Sequence, residues 1–268
     1  MFGLYAEAFS RLSAQPKLRR SLTAWCTAGL VLSMAYAAAV ALLAPGGRLA
    51  QALLLTALWW VLICVVFTGG ASMLDTPGGE RVDHYGVPNG LTGLRAWMCM
   101  PVLLTALFDL PGREGLALFA GVGGAAGMLD AVDGVVARSV GPVTRLGKAL
   151  DPFMDTLFFL VAAAGSYALG IVPLWLAALI AFRYAGPVLL TPFVFLARRR
   201  PELVHTRWGR RNTILTGFVL FVLFIVDLAA GPVWLAALVT ALPLLVPTLV
   251  LHFVSLAARV RSAPLAAR

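Results

Sequence analysis

Eight long apolar segments follow one another along this 268-residue chain. Each is roughly 18–25 residues long, enough for a helix to cross the hydrocarbon core of a bilayer. In lipid, the backbone polar groups of such a segment are satisfied internally by a helix. Short, Pro- and Gly-rich connections predict that neighbouring helices are antiparallel. The predicted spans are about residues 22–44, 51–73, 90–109, 114–136, 149–171, 174–197, 213–230 and 233–257.

The composition agrees with a lipid environment and therefore with an all-α polytopic membrane protein. Hydrophobic residues make up 60% of the chain and charged residues 12%, whereas soluble domains are about half apolar and a quarter charged. A net charge of +9 would suggest nucleic acid in a soluble protein. No nucleic-acid readout motif is present, so nucleic acid is excluded and membrane lipids and phosphorylated substrates are expected instead.

The basic residues also predict an orientation in the membrane. Seventeen of the 21 Lys and Arg residues lie in segments on one side of the eight-span topology, and only Arg48 and Arg113 lie in the opposite loops. Because positive charge concentrates in cytoplasmic loops, both termini are predicted in the cytoplasm of a multi-pass cell (inner) membrane protein. The first apolar run, from Leu22, is too long for a signal peptide and is interpreted as an uncleaved span.

Four carboxylates stand where the fourth predicted span ends and the fifth begins. Asp130 and Asp133 share one helix face, as do Asp151 and Asp155, and a short loop allows all four to converge. No comparable set of basic residues lies on these faces to neutralise them. Divalent metal is the economical solution, and two metals would suit displacement at phosphorus. Simple helix capping would suit Asp151, but not Asp130 and Asp133 near a C-terminal helix end.

The run from Asp130 to Asp155 resembles the signature of the CDP-alcohol phosphotransferase (CDP-alcohol phosphatidyltransferase) family, D-x2-D-G-x2-A-R-x8-G-x3-D-x3-D. The resemblance is greatest to members of the phosphatidylglycerophosphate synthase type. It implies a six-helix CDP-alcohol phosphotransferase-like core preceded by two extra N-terminal transmembrane helices. We therefore predict an N-terminal cytoplasmic and accessory part at 1–84, and a catalytic membrane domain at 85–268.

The resemblance also implies roles for the residues of the signature. Its aspartates would bind two divalent ions, Mg²⁺ or Mn²⁺, and Asp155 would in addition be the general base on the acceptor hydroxyl. The aspartates concerned are Asp130, Asp133, Asp151 and Asp155. The remaining specified positions would hold the CDP moiety: Gly134, Ala137, Arg138 and Gly147. The acceptor oxygen would attack the β-phosphorus, and CMP would leave. A homodimer is expected from the same resemblance.

Residues 88–95 open the third span and are similar to the family's P-N-x-x-T-x-x-R entry. Asn89 is expected to cap the helix, while Thr92 and Arg95 share one face. We assign all three to nucleotide binding. The alternative is ordinary capping with an arginine that extends to the interface.

Two arginines are candidates for binding the acceptor. Arg183 lies in the middle of a predicted span, where a charge is costly and indicates function. It is followed by Tyr184, where family members that use phosphorylated acceptors often have an acid. Arg210 takes the Lys place of a Gly-Lys-x-x-Thr stretch. The alternatives are a structural ion pair between Arg183 and Asp227, and a basic loop that only contacts anionic lipid.

These features predict an enzyme of phospholipid biosynthesis that transfers a phosphatidyl group from CDP-diacylglycerol to a small polar alcohol or alcohol phosphate. Glycerol 3-phosphate is the preferred acceptor, because Arg183 and the basic loop suit a phosphorylated molecule. Inositol phosphate and phosphatidylglycerol are alternatives, as is transfer from a soluble CDP-alcohol to a lipid. An ion-coupled membrane transporter is the alternative of another class, since buried carboxylates also serve ion transport.

Overall fold

The computed structural model describes residues 2–111, 113–140, 144–196 and 206–262, with side chains for all of these except 2, 128–140 and 191–196. Helices account for nearly all of this part of the chain, which confirms the predicted all-α fold. A helix coincides with every predicted span, and one further helix precedes them. The helices are α1 (Phe2–Ala14), α2 (Pro16–Leu43), α3 (Leu49–Gly70), α4 (Gly86–Leu107), α5 (Glu114–Val140), α6 (Arg145–Ala168), α7 (Leu174–Leu196), α8 (Arg207–Leu228) and α9 (Val233–Ser262).

Six helices of the described chain are long and apolar enough to cross a membrane: α2, α3 with the turn that follows it, α4, α6, α8 and α9. In α7 the apolar stretch Leu174–Leu190 is shorter. Large apolar side chains cover the outside of these helices; Leu42, Leu189 and Ile214 are 77%, 67% and 66% exposed. Exposed apolar surface on this scale fits a protein whose solvent is lipid, and the chain is a multi-pass membrane protein.

The N-terminal helix α1 is the element that the apolar pattern does not predict. It is too short to span a bilayer, and its apolar face is interrupted by a buried arginine. The side chains of Ala8, Arg11 and Leu12 point inward, which is the spacing of one helix face. Arg11 is only 5% exposed and donates to the carbonyl oxygens of Ala71 at 2.9 Å and Leu74 at 3.2 Å. It thereby satisfies carbonyls that the end of α3 leaves without helical partners.

The largest buried cluster joins the accessory helices to the helices that carry the sequence motifs. Leu18 of α2 and Phe67 of α3 lie in it together with Trp97 of α4 and Leu146 and Met154 of α6. The rings of Phe67 and Trp97 are 5.2 Å apart between centroids. Side-chain packing of this kind drives helix association in lipid, where no hydrophobic effect operates between helices. The accessory helices are therefore integral to the packing of α4 and α6.

A short hairpin over residues 74–82 connects α3 to α4. The N–H of Val82 donates to the oxygen of Leu74 at 2.9 Å, and the N–H of Thr76 donates to that of Glu80 at 2.8 Å. Gly79 supplies the positive φ of +87° that the tight turn needs. This small polar element has no apolar periodicity, so no pattern in the sequence predicts it.

The chain divides into two compact units, Met1–Gly165 and Ser166–Arg268. The second unit contains α7, α8 and α9, with α8 and α9 packed against each other. Buried polar groups reinforce that contact: the Asn212 amide donates to Thr248 Oγ1 at 2.8 Å and to the oxygen of Leu245 at 3.2 Å. The boundary predicted at residue 84, between the accessory part and the catalytic domain, does not coincide with the boundary of these units. It remains a prediction about function.

Candidate active site

The signature lies on two consecutive helices, as the sequence predicts. Residues 130–138 belong to the last turns of α5, and the stretch from Gly147 to Asp155 belongs to the first turns of α6. For Asp130, Asp133, Gly134, Ala137 and Arg138 only the backbone is described, so their side-chain roles lie outside the described part of the chain. The helical backbone alone places Asp130 and Asp133 on one face of α5.

Asp151 and Asp155 stand one turn apart on α6. Asp151 is exposed and Asp155 half-buried, so both carboxylates are reachable from outside the helix. Among the described side chains, no three acidic, His or Cys groups converge on a common point; the other two aspartates of the signature are not among them. Carboxylate oxygens are nevertheless the donors that Mg²⁺ and Mn²⁺ prefer. Asp151 and Asp155, two of the four predicted ligands, are therefore suited to a divalent metal site.

The first turn of α6 is held by a hydroxyl that the sequence interpretation did not single out. Thr144 Oγ1 accepts a hydrogen bond from the N–H of Gly147 at 3.1 Å, the geometry of a helix N-cap. The same hydroxyl oxygen accepts a bond from Asn89 Nδ2 at 3.3 Å. A Thr three residues before Gly147 is a recognisable capping signal, so the sequence contained the information. This contact joins α4 to the start of α6.

Two predicted nucleotide-binding residues are brought together by that contact. A Cβ added to Gly147 would lie 3.1 Å from Asn89 Oδ1, so only glycine allows the two segments to approach this closely without adjustment. The expectation that Asn89 caps α4 is wrong. The helix begins at Gly86, whose φ of +70° lets the chain turn into the helix three residues earlier. Asn89 instead donates to the oxygen of Tyr85 at 2.7 Å from within the helix.

Thr92 and Arg95 continue from Asn89 along α4. Both are buried, at 8% and 7% exposure. Thr92 Oγ1 donates to the oxygen of Pro88 at 3.0 Å, a bond within its own helix. An arginine buried in a membrane-spanning helix is costly unless it serves a charge or a polar partner. The three residues of the entry motif thus lie on successive turns of α4, next to the cap of α6.

The entry motif is also where accessory helix α2 reaches α4. A Cβ added to Gly90 would lie 2.0 Å from Cε2 of Trp25, so the Trp25 ring sits directly on the α4 backbone at a position that the motif leaves unspecified. Trp59 of α3 donates its indole N–H to the oxygen of Ala96 at 2.8 Å. Helices α2 and α3 therefore fix the helix that presents Asn89 and Thr92.

The two candidate acceptor residues both contribute to the start of α8. Arg183 is 7% exposed, and its Nη2 donates to the oxygen of Gly209 at 3.3 Å. Its guanidinium lies 4.8 Å from the centroid of the Tyr184 ring. Arg210 follows Gly209 and is exposed. A buried and an exposed arginine therefore stand at the same helix N-terminus, where backbone N–H groups favour an anion.

Further polar contacts hold that helix start in place. Thr206 caps α8 by accepting from the N–H of Gly209 at 2.8 Å, and the same hydroxyl lies 2.6 Å from His252 Nδ1. Tyr184 OH donates to Thr213 Oγ1 at 3.1 Å. Tyr184, which departs from the family's acidic residue, is therefore tied to the threonine of the Gly-Arg-x-x-Thr stretch. The sequence interpretation missed Thr206 and His252, since an isolated histidine 46 positions away gives no local signal.

Comparison with known proteins finds similarity in the part of the chain that carries the signature. The sequence profile of CDP-alcohol phosphatidyltransferase matches residues 85–246. The chain is 32% identical over 164 residues to proteins named "Probable phosphatidylglycerophosphate synthase" from two Mycobacterium tuberculosis strains, CDC 1551 and H37Rv, covering 60% of this chain and 75% of each relative. No solved structure matches the chain.

The profile begins one residue before α4 and ends within α9, so it covers five of the six helices predicted as the core and about half of the sixth. A phosphotransferase of phospholipid biosynthesis accounts for the signature, whereas the transporter alternative does not account for its Gly, Ala and Arg positions. Members of this family generally depend on divalent metal, which agrees with the carboxylate donors of α6. The chain belongs to the CDP-alcohol phosphatidyltransferase family.

Proposed function

We propose that the protein transfers a phosphatidyl group from CDP-diacylglycerol to glycerol 3-phosphate and releases CMP. The observation that carries the choice of acceptor is Arg183, a buried cation held against the first turn of α8, with Arg210 exposed on the same turn. A phosphorylated acceptor supplies the anion that such a pair binds. The names of the two mycobacterial relatives support the same choice.

On the donor side, the apposed Asn89 and Gly147 form the support for the CDP moiety, with Thr92 and Arg95 on the next turns of α4. We assign Gly134, Ala137 and Arg138 of α5 to the same nucleotide. Asp130, Asp133, Asp151 and Asp155 would hold two divalent ions, Mg²⁺ or Mn²⁺, which when bound would neutralise phosphate charge.

The reaction needs one proton transfer and one exchange at phosphorus. Asp155 takes the proton from the acceptor hydroxyl as its oxygen forms a bond to the phosphatidyl phosphorus. The bond from that phosphorus to the CMP oxygen breaks, and CMP leaves with the electron pair. Asp155 suits this role because it is half-buried, whereas Asp151, one turn earlier, is exposed to solvent.

A panel of acceptors tests the proposal directly. Purified protein with CDP-diacylglycerol and Mg²⁺ is offered glycerol 3-phosphate, inositol phosphate or phosphatidylglycerol, and the released CMP is measured. We expect release with glycerol 3-phosphate at least about tenfold faster than with either alternative, because an unmatched polar group in the site costs at least that much. Faster release with another acceptor would replace the substrate; no release with any of them, or with a soluble CDP-alcohol and a lipid, would refute the function.

Replacing Arg183 by Gln separates acceptor binding from donor binding. We expect the KM for glycerol 3-phosphate to rise about tenfold or more, because a charge-assisted hydrogen bond is lost. The KM for CDP-diacylglycerol should stay unchanged. Arg211→Gln is the control, since Arg211 is an exposed arginine of α8, the helix that Arg183 contacts, and its guanidinium lies 4.9 Å from the centroid of the Trp208 ring. An equal effect of both variants would contradict the assignment.

We also propose that both termini face the cytoplasm, that the active site lies on that side of the cell membrane, and that the protein is a homodimer. The distribution of basic residues supports the orientation, and the family resemblance supports the dimer. An impermeant thiol reagent should label Arg113→Cys in intact cells but Arg81→Cys only after lysis. The reverse pattern would overturn the topology, and a monomer on sedimentation in detergent would overturn the dimer.

A further inference from the structure

We propose that Asp75, in the accessory part of the chain, is a positioning residue for the donor nucleotide. It anchors Arg145, the first residue of α6, and through it the segment that brings Gly147 to Asn89. The inference rests on the proposed function of that segment in CDP binding.

The carboxylate of Asp75 lies between two guanidinium groups from opposite ends of the first unit. Its Oδ1 is 3.5 Å from Arg11 Nη1, and its Oδ2 is 3.4 Å from Arg145 Nη1. The backbone repeats the second link, because the N–H of Arg145 donates to the oxygen of Asp75 at 2.9 Å. Asp75 therefore holds the start of α6 by its side chain and by its main chain.

On the side of the accessory helices, Asp75 is held by Arg11. Arg11 is buried and also donates to the oxygens of Ala71, Leu74 and Val82. These bonds tie α1 to the end of α3 and to both arms of the hairpin that carries Asp75. A residue fixed in this way can transmit a defined position, whereas a mobile loop cannot.

The held end of α6 is the end that meets the nucleotide motif. Thr144 precedes Arg145 and joins Asn89 Nδ2 to the N–H of Gly147. Leu146, the next residue, packs on α3 so closely that a Cβ added to Gly70 would lie 2.6 Å from Leu146 Cδ1. Three successive residues at the start of α6 thus contact α4, the hairpin and α3 in turn.

Arg145 lies within the eight positions between Arg138 and Gly147 that the family signature leaves unspecified. The clamp made by Arg11, Asp75 and Arg145 therefore uses no position that the signature specifies. It gives the accessory helices a role in the reaction, namely to hold one wall of the donor site.

The plainer interpretation is that Asp75 only neutralises the buried charge of Arg11. The geometry favours positioning, because Arg11 already has four carbonyl partners besides the carboxylate and the second oxygen of Asp75 faces Arg145. The two interpretations differ in what is lost. Neutralisation predicts a change in stability alone, and positioning predicts a change in donor affinity.

The test compares Asp75→Asn, Arg145→Gln and the double variant in the full-length protein. Asp75→Asn should fold, since Arg11 keeps its carbonyl acceptors, and Arg145→Gln alters a side chain that is 60% exposed. For both single variants we expect the KM for CDP-diacylglycerol to rise about fivefold, the effect of losing a partly exposed ion pair. The value of kcat should change by less than about twofold, because the acceptor half is untouched.

The double variant should resemble either single variant, since both remove the same link. Arg145→Lys keeps the positive charge, so it should retain most of the affinity for CDP-diacylglycerol that Arg145→Gln loses. Asp83→Asn is the matched control, because Asp83, like Asp75, is an acid between α3 and α4, but it is exposed. The hydrogen bond with His84 and the nearby Lys17 hold the pKa of Asp83 below its usual value. The variant should behave as wild type.

The inference is overturned if Asp75→Asn leaves the donor KM unchanged, if the two single effects multiply, or if only the thermal midpoint falls. The midpoint with and without CDP-diacylglycerol is measured for every variant. A wild-type protein that releases no CMP would refute the proposed function instead. In that case the shift of the midpoint by CDP-diacylglycerol, compared between wild type and Asp75→Asn, still decides whether Asp75 supports nucleotide binding.

Discussion

Replacement of Asp155 by Asn is expected to lower CMP release about a thousandfold, the scale of a lost general base. The amide has the size of the carboxylate but cannot accept the proton of the acceptor hydroxyl. Because the change leaves the contact of Asn89 with Gly147 intact, binding of CDP-diacylglycerol should persist in part. Single-turnover CMP release and the shift of the thermal midpoint by CDP-diacylglycerol measure the two effects separately.

Asp109→Asn is a suitable control for this variant. Asp109 is 85% exposed in the loop after α4 and has a φ of +48°, a conformation that Asn adopts as readily as Asp. The control should release CMP at the wild-type rate. Turnover of Asp155→Asn within about tenfold of wild type would assign the general base to another group.

The second large effect is expected from Gly90→Ala, a change of one methyl group. The added carbon would lie 2.0–2.3 Å from three atoms of the Trp25 ring, so α2 or the ring must move. Overpacking of this kind costs about 1–3 kcal/mol. The displacement falls between Asn89 and Thr92, so we expect donor affinity to fall together with the thermal midpoint.

A paired substitution identifies the cause. Trp25→Leu removes the ring, and in combination with Gly90→Ala it should recover part of the lost stability and donor affinity. Gly217→Ala is the matched control, because a Cβ at that helical position meets nothing within 4 Å. It should be neutral or stabilising by up to about 1 kcal/mol, since alanine favours a helix over glycine. Failure of Trp25→Leu to compensate would show that the Gly90 contact does not limit the packing of α2 on α4.

The sequence was most informative where a single physical requirement governs a long segment. Lipid requires about 20 apolar residues per helix, so hydropathy predicts a helix at each of the eight positions, and six of the described helices are long and apolar enough to cross a membrane. Hydropathy does not fix their ends: α2 starts at Pro16 rather than residue 22, because proline is favoured at the first position of a helix even in polar sequence. Helix α1 and the hairpin depend on Arg11 and its distant carbonyl partners, which no local pattern encodes.

The candidate site divides in the same way. Fixed spacing revealed the signature and the entry motif, and the structure gives the corresponding helices. Asp75 and Trp25 escaped notice because each acts through a residue that is distant in sequence. The same holds for the contact of Thr144 with Asn89, although the capping of α6 by Thr144 has a local signal. The wrong cap at Asn89 has a local cause, since a glycine at residue 86 with positive φ moves the start of the helix. Long-range packing, rather than composition, therefore decides how Asn89, Thr92 and Gly147 are positioned.

The cluster that joins α2 and α3 to α4 also has a consequence for how the protein is made. A chain synthesised from its N-terminus delivers α2 and α3 to the membrane before α4 emerges from the ribosome. Trp25 and Phe67 are then in place when Gly90 and Trp97 arrive. The first two spans thus offer α4 a preformed packing surface at the moment when it enters the membrane.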